Sequence, residues 1–369
     1  MRRLLLATTS LAAAGLFGSQ ADAADRLKLG VGGYFNAFLV GVSQDDGPGE
    51  AAAGRANHKI AEEAEIHFSG ETVLDNGLEI GIQVELEAES CTDQMDDSYI
   101  WFEGGFGRLQ VGAADPVSDA MYYGAPEPIA GVGLSTPDDV FSTLSNSVAT
   151  PATITNISGN AEKFSYFTPR IAGIQLGLSY TPNNCKEGTI AGACGGSYAG
   201  MPAQAAGDQT KITELAANYT GELAGTDVAL YGAYGRGELE GPAPGSRDQV
   251  QWGLGAEVGY AGFTVGAAYR NDNQGTSGAN TDRRDWAVGV SYGLDDWTLG
   301  VEYVDSTAEE GAGLGEDETT GWQFGGTYAL GPGVTLTGGI TTWKVRDNLH
   351  DPASENDSVE LIAGTIIEL

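Results

Sequence analysis

Two neighbouring stretches of the sequence carry acidic or polar side chains at every second position. Alternate residues of a β-strand point to the same side, so each stretch would form a one-sided ladder of negative charge. Such a ladder attracts cations and repels anions where it lines a confined space with low-dielectric walls. The first set comprises Glu63, Glu65, His67 and Glu71, and the second comprises Glu79, Gln83, Glu85, Glu87 and Glu89.

The chain offers little for catalysis or for a resident cofactor. Its three histidines are His58, His67 and His350, and none stands at a spacing that suggests a Ser-His-Asp hydrolase. The glycines of residues 30–33 lack the following helix that a dinucleotide site needs. We therefore predict no enzymatic activity and no cofactor, and allow only loosely bound divalent cations on the crowded carboxylates.

Three cysteines remain, and two of them lie in one long connection. Cys185 and Cys194 would form a disulfide in an oxidising compartment, which is the favoured pairing. Cys91 would then be unpaired, or would pair with one of them instead. We predict no metal site at these thiols, because no histidine lies close in sequence.

The charge balance excludes one large class of partner. With 51 acidic and 18 basic side chains among 369 residues, the formal charge is −33. A phosphate binder needs Lys and Arg to displace counterions, so nucleic acid is not an expected partner. Docking onto anionic lipid through a basic patch is disfavoured for the same reason.

The first residues have the pattern of a secretory signal peptide. Arg2 and Arg3 precede an apolar run over residues 4–17, and the small residues at 21–23 match a cleavage site. The run is too short for a membrane anchor, the alternative reading. We predict a cleaved peptide over 1–23, export, and a single mature domain over 24–369. No later stretch is a membrane helix, so the mature chain is a soluble secreted β protein or an outer-membrane barrel.

Long alternating strands favour the barrel. Residues 251–260 alternate for ten positions, with Trp252, Leu254 and Val258 on one face and Gln251 on the other. Ten residues is the length that a tilted strand needs to cross a bilayer. The same alternation recurs along the chain, and aromatic residues gather at strand ends, as interface girdles require.

The connections between these strands alternate between short turns and long loops. Counting strands between them gives sixteen, from Leu27 to Leu369, and an even number places both termini at the short-turn end. The predicted fold is all-β, a 16-stranded antiparallel transmembrane β-barrel.

The longest connection spans residues 115–160, far beyond an ordinary hairpin loop. Folded into the lumen, it would act as a constriction loop and narrow the pore; the alternative is an external flap. Its candidate constriction carboxylates are Asp115, Asp119, Glu127, Asp138 and Asp139.

Two motifs flank this connection and carry a family resemblance. Residues 97–112, DSYIWFEGGFGRLQVG, and 166–180, YFTPRIAGIQLGLSY, resemble the hairpins on either side of the constriction loop of general Gram-negative, alphaproteobacterial-type porins. The resemblance covers nearly the whole mature chain. It implies a homotrimeric outer-membrane channel for passive diffusion of ions and small hydrophilic solutes. Membrane lipid, lipopolysaccharide and the barrel-assembly machinery would be its further partners.

The sequence departs from that family in two places. Family members usually end in Phe, which the assembly machinery reads, whereas this chain ends in Leu369. They also often carry an Arg/Lys cluster on the wall opposite an acidic loop, whereas the wall predicted here is acidic. With both surfaces acidic, we predict a cation-preferring pore. The candidate inward bases are scattered, and they are Lys59, Arg108, Lys163 and Arg270.

Three other functions remain open at this stage. A substrate-specific channel for cationic or sugar solutes would use the acidic ladder as a binding track. A non-conducting structural or adhesive barrel would have its loop plug the lumen. A soluble secreted protein is the weakest option, and it predicts extraction without detergent.

Overall fold

The computed structural model describes residues 26–88, 95–135, 141–142, 144, 151–184, 206–241, 243–278, 281–311 and 315–369. The predicted signal peptide, the three cysteines, Glu89, Asp138 and Asp139 lie outside the described residues, and so do the predictions made for them.

The described chain forms sixteen strands and one short helix, and no helix within these ranges is long and apolar enough to cross a membrane. The strands are β1 (Gly30–Gln44), β2 (His58–Val73), β3 (Glu79–Glu87), β4 (Ser98–Gly104), β5 (Gly107–Ala113), β6 (Glu162–Phe167), β7 (Ile174–Asn183), β8 (Gln209–Leu223), β9 (Thr226–Leu239), β10 (Val250–Tyr260), β11 (Phe263–Asp272), β12 (Arg283–Leu294), β13 (Trp297–Glu309), β14 (Glu316–Gly331), β15 (Val334–Arg346) and β16 (Asn356–Glu368). The helix, α1 (Val117–Ala120), follows β5.

Each strand pairs antiparallel with its neighbours in sequence, and β1 closes the barrel on β16. The closing register runs from Tyr34 opposite Glu368 to Gln44 opposite Ser358. Closure leaves no strand edge unpaired, which a sheet in lipid requires. The predicted fold class and strand number are confirmed. The first strand begins at Gly30, three residues after the predicted start at Leu27.

The predicted division of the strands into two faces is also confirmed. Trp252 and Leu254 on β10 are 37% and 57% exposed, whereas Gln251 on the opposite face of the same strand is 3% exposed. The outward apolar residues form the surface that would contact lipid. Aromatic pairs lie near both ends of the strands. Phe263–Tyr292 and Trp297–Tyr328 pack in tilted pairs near the short turns, with ring centroids 4.4 and 4.6 Å apart.

The short turns are all at one end of the barrel and the long loops are at the other. Ala224-Gly225 and Ala261-Gly262 both have positive φ at their two central positions, as type I′ hairpin turns require. This end also holds the beginning of β1 and the end of β16.

Candidate functional site: the lumen and its long loop

The long connection between β5 and β6 lies against the inner face of the barrel wherever it is described. Its backbone amides donate to inward side chains on strands far apart around the wall. Val117 donates to Ser179 Oγ on β7 at 2.9 Å, and Gly124 donates to Glu257 Oε1 on β10 at 3.2 Å. Further round, Ile129 N donates to Gln323 Oε1 on β14 at 3.0 Å, and Ser142 N donates to Glu360 Oε1 on β16 at 2.7 Å.

Glu214 on β8 is the most heavily used of these attachment points. It is fully buried, and its carboxylate accepts three hydrogen bonds from the loop. Ser118 Oγ and Ile157 N reach Oε1 at 3.1 and 2.9 Å, and Ser158 Oγ reaches Oε2 at 2.6 Å. Hydrogen bonds to a charged group are stronger than those between neutral groups. Because its donors come from both ends of the loop, this carboxylate attaches the beginning and the end of the loop to the same strand.

Inward glycines allow the loop to approach the wall closely. A Cβ on Gly255 of β10 would lie 1.9 Å from the Tyr123 carbonyl oxygen, and one on Gly266 of β11 would lie 2.1 Å from that of Gly124. Both positions are therefore open only to glycine while the loop keeps this path. The same relation continues along the wall, where Gly289 meets Pro126, Gly300 meets Pro128, and Gly325 and Gly339 meet Ile129. We call these six glycines the glycine track.

Apolar side chains of the loop fill the remaining space against this wall. Ile129 and Val132 pack with Phe38 and Ile362, which face inward from β1 and β16. Leu134 packs in a second cluster with Val304 and Trp343, among others. Each such fully buried side chain contributes roughly 1.5–3 kcal/mol to holding the loop in place.

Two of the predicted inward bases hold the loop instead of lining open space. Arg270 is 7% exposed, and it pairs with Asp285 Oδ2 at 2.7 Å and donates to the Ile154 carbonyl at 3.1 Å. Arg283 binds the other oxygen of Asp285 at 3.0 Å. Lys163 is 5% exposed and donates to the carbonyls of Ala114, Gly159 and Ala161, which anchors both ends of the loop.

The inner faces of β2 and β3 bring together most of the predicted wall residues. We call this surface the acidic wall. Asn36 Nδ2 donates to Glu63 Oε2 at 3.1 Å. The Tyr34 hydroxyl lies 2.6 Å from Glu63 Oε1 and 2.8 Å from Glu65 Oε1. Members of the acidic wall are Glu63, Glu65, His67, Glu71, Glu79, Gln83, Glu85 and Glu87.

The centre of the acidic wall is a compact group on adjacent strands. His67 Nε2 is 2.7 Å from Glu65 Oε2 and 3.9 Å from Glu85 Oε2. Gln83 Nε2 donates to Glu85 Oε1 at 2.7 Å. His67 and Glu85 stand directly opposite each other in the β2–β3 register, so the barrel itself sets their separation.

The other two predicted bases lie at the margins of the acidic wall. The Arg108 guanidinium on β5 stacks on Trp101, 4.5 Å from the ring centroid, with Glu103 Oε2 3.9 Å from Nη1. The Lys59 ammonium lies over the ring of Phe141 in the loop, 5.2 Å from its centroid. Lys59 is exposed and Arg108 is half-buried.

The three constriction carboxylates that the structure describes have different surroundings. Glu127 is exposed, whereas Asp115 and Asp119 are half-buried. Asp119 Oδ2 accepts from Asn156 Nδ2 at 2.8 Å, which is a contact within the loop. Asp115 contributes to the field at Asp97, the residue before β4. Burial first, and then the charges of Asp115, Glu85 and Asp96, raise the pKa of Asp97 to about 8.

A second perturbed carboxyl lies between β13 and β14 at the long-loop end. Burial first, and then the nearby charges of Asp317 and Asp347, raise the pKa of Glu310. Asn348 N donates to Asp317 Oδ1 at 3.0 Å, so this group connects two neighbouring loops. Crowding of acidic groups therefore shifts some of their pKa values upward, as expected for like charges.

Sequence reasoning missed several residues of this site. Tyr34 and Asn36 occupy the polar inward positions of β1, and the alternation of that strand carried enough signal to find them. Glu214, Asp285 and Glu360 also lie at inward positions. The loop attachments at Glu214 and Glu360 depend on contacts between residues 57 to 218 positions apart, which no local pattern reveals.

A closed antiparallel barrel of sixteen strands, with apolar outer and polar inner faces, defines a transmembrane β-barrel protein. Sequence comparison agrees: the sequence model of Gram-negative porins matches residues 7–348. The chain belongs to the Gram-negative porin family. No curated protein matches the sequence significantly.

Solved structures with the same fold are porins of distant sequence. An anion-selective porin from Comamonas acidovorans is 13% identical, with a TM-score of 0.61 over 93% of this chain and 100% of that one. OmpT of Vibrio cholerae, an outer membrane protein in its trimer form, is also 13% identical, with a TM-score of 0.61 over 94% and 100%. A mutant Rh. blastica porin is 17% identical, with a TM-score of 0.56 over 93% and 100%.

Proposed function

We propose that the protein is a general diffusion porin of the outer membrane, with a water-filled passage for ions and small hydrophilic solutes and no enzymatic activity. One contrast between inward residues carries the proposal. On the side covered by the loop, Glu214, Glu302 and Gln323 are fully buried. On the other side, the inward residues Glu63 and His67, in the middle of β2, are only half-buried. Partial exposure in the middle of the inner face of a closed barrel means contact with lumen water, so a passage follows the acidic wall.

Segment 115–160 serves as the constriction loop in this proposal. Its described residues contact the inner wall from β7 round to β16 and β1, and the passage runs along the acidic wall. The glycine track supports this role, because it keeps the loop flat against the wall and the remaining space continuous. The mature domain is residues 24–369, exported by the signal peptide over 1–23.

The passage prefers cations. The inner faces of β2–β5 carry seven carboxylates, Glu63, Glu65, Glu71, Glu79, Glu85, Glu87 and Glu103, against two permanent positive charges, Lys59 and Arg108. Neighbouring members of this set lie within a Debye length, about 10 Å at 0.1 M salt, as the ligand atoms of Glu65 and Glu85 do at less than 4.8 Å. Their fields therefore add along the wall of a narrow passage. Charged bases on the opposite side, such as Arg270, are neutralised by Asp285 and covered by the loop.

Partners of this channel follow from the barrel and the family. The apolar outer face contacts membrane lipid and lipopolysaccharide, and the barrel-assembly machinery inserts it. A homotrimer is part of the proposal, supported by the trimer form of the related fold.

Planar-bilayer recording across a KCl gradient tests the proposal. The detergent-purified chain should give stepwise ohmic currents, with a reversal potential that makes the dilute side positive. A triple variant, Glu63→Gln, Glu71→Gln and Glu103→Gln, should move the reversal potential towards zero. The matched control carries Glu238→Gln, Glu316→Gln and Glu355→Gln, which remove the same charge from positions outside the lumen. An anion-side reversal would overturn the selectivity, and well-folded protein without any current steps would indicate a plugged barrel.

A substrate-specific channel for cationic solutes is the second candidate, because the acidic ladder is dense and continuous. Saturable block of the K⁺ current by an added organic dication would favour it. A current that scales with bulk conductivity, without such block, would favour general diffusion.

A further inference from the structure

Three side chains in the centre of the acidic wall converge on one point. One ligand atom each from Glu65, His67 and Glu85 lies within 4.8 Å of the others. The two measured separations from His67 Nε2 to the carboxylate oxygens are 2.7 and 3.9 Å. Ligand atoms around a metal with bonds of about 2.0–2.2 Å stand roughly 3–4 Å apart, so small side-chain rotations would complete such a set.

The surrounding hydrogen bonds orient both carboxylates towards the imidazole. In Glu65, Oε1 faces the Tyr34 hydroxyl at 2.8 Å, which leaves Oε2 for His67. In Glu85, Oε1 accepts from Gln83 Nε2 at 2.7 Å, which again leaves Oε2 towards His67. Neutral donors that hold the outer oxygen of a carboxylate are the usual second layer of a metal site.

Burial and backbone placement make this group more than a set of surface acids. Glu65 and Glu85 are each only 8% exposed, and two close carboxylates at that depth are stabilised by a shared positive charge, which an imidazolium or a metal ion at the His67 position supplies. Glu65 and His67 are two residues apart on β2, and Glu85 faces His67 across the β2–β3 ladder. Sites on paired strands keep their geometry better than sites on loops.

We propose that Glu65, His67 and Glu85 form a binding site for a divalent transition-metal ion on the pore wall. One imidazole nitrogen and two carboxylates form the mixed ligand set that suits Zn²⁺ and its first-row neighbours. The lumen side leaves further coordination positions to water. When the ion binds, His67 Nε2 presents its lone pair to the metal, so any proton on that atom passes to solvent.

Calorimetric titration of the detergent-solubilised full-length protein with ZnCl₂ tests the site. We expect one Zn²⁺ per chain in the wild type. His67→Ala and Glu85→Gln should each weaken binding at least about 100-fold, and Tyr34→Phe by roughly 10-fold through the second layer. His350→Ala and Glu355→Gln are the matched controls, because they make the same changes in an exposed His–carboxylate pair 3.1 Å apart.

The outcomes separate this site from the proposed channel. Binding needs no conductance, so a plugged barrel would still bind Zn²⁺ here. Absence of Zn²⁺ binding to the wild type, or equal binding to His67→Ala and Glu85→Gln, would overturn the proposal. Heat-modifiable gel mobility checks that each variant is a folded barrel, and Glu85→Gln, nearly isosteric, keeps the test available if His67→Ala does not fold. In the conducting protein, micromolar Zn²⁺ should lower the K⁺ current, and the two ligand variants should not respond.

Discussion

The double variant Gly255→Ala, Gly266→Ala should displace the loop from the glycine track. The added Cβ atoms would lie 1.9 and 2.1 Å from the carbonyl oxygens of Tyr123 and Gly124. Contacts under 3.0 Å are essentially never seen for real Cβ atoms, so each carbonyl must move by about 1 Å. The wall cannot yield instead, because Gly266 lies in a ladder with Gly289 on one side and Glu257 on the other.

The loop should move towards the acidic wall, because it lies between the glycine track and the acidic wall. The passage should therefore narrow, and single-channel conductance should fall. Overpacking of this kind typically costs about 1–3 kcal/mol, which here weakens loop attachment more than barrel closure. The backbone ladder remains intact, so the folded barrel should persist in detergent.

Single-channel recording in symmetric KCl, with heat-modifiable gel mobility as the check on folding, measures both effects. Gly293→Ala is the matched control, because it lies on the inner face of β12 and its Cβ would meet only the Gly262 carbonyl oxygen at 3.9 Å. That variant should conduct like the wild type. Unchanged conductance in the folded double variant would refute the reasoning, because the loop would then not be held against these glycines.

Three further predictions concern attachments and charge. Glu214→Ala removes three hydrogen bonds from the loop to a carboxylate, and a hydrogen bond to a charged group contributes about 1.5–3 kcal/mol. Amide exchange at Ile157 should therefore accelerate at least about 100-fold. Unchanged protection of this amide would contradict the attachment. Asp285→Asn leaves two buried guanidinium groups without their shared carboxylate, so the free energy of unfolding in urea should fall by about 3–5 kcal/mol. The control Asp357→Asn, at an exposed pair, should lower it by at most about 1 kcal/mol. Equal losses of stability in the two variants would argue against the buried pairing. The pKa of Glu310 is raised in the folded chain. Its contribution to stability is therefore present below the pKa of the unfolded chain, about 4.3, and is lost as the pH rises through the pKa of the folded chain. Protection of its loop from amide exchange should fall over that range, and Glu310→Gln should abolish this pH dependence.

Much of the barrel could be predicted from local pattern. The two-residue period of strands such as residues 251–260 separates the lipid face from the lumen face without any knowledge of neighbours. Turn residues such as Ala261-Gly262 mark the short connections, and counting between them gives the strand number. Each half of the acidic wall was predictable for the same reason, because Glu65 and His67 lie two positions apart on β2. The pairing of β2 with β3 then set Glu85 opposite His67.

The tertiary structure decided which inward residues meet water and which hold the loop. Alternation along the strands places Lys163 and Arg270 inside the barrel as surely as it places Glu63. Only the path of the loop between β5 and β6 buries the first two and leaves the third half-buried. That path depends on contacts such as Ile129 to Gln323, 194 residues apart. Period and turn chemistry are local properties of the chain, whereas pairings at that distance arise only when the closed wall brings them together.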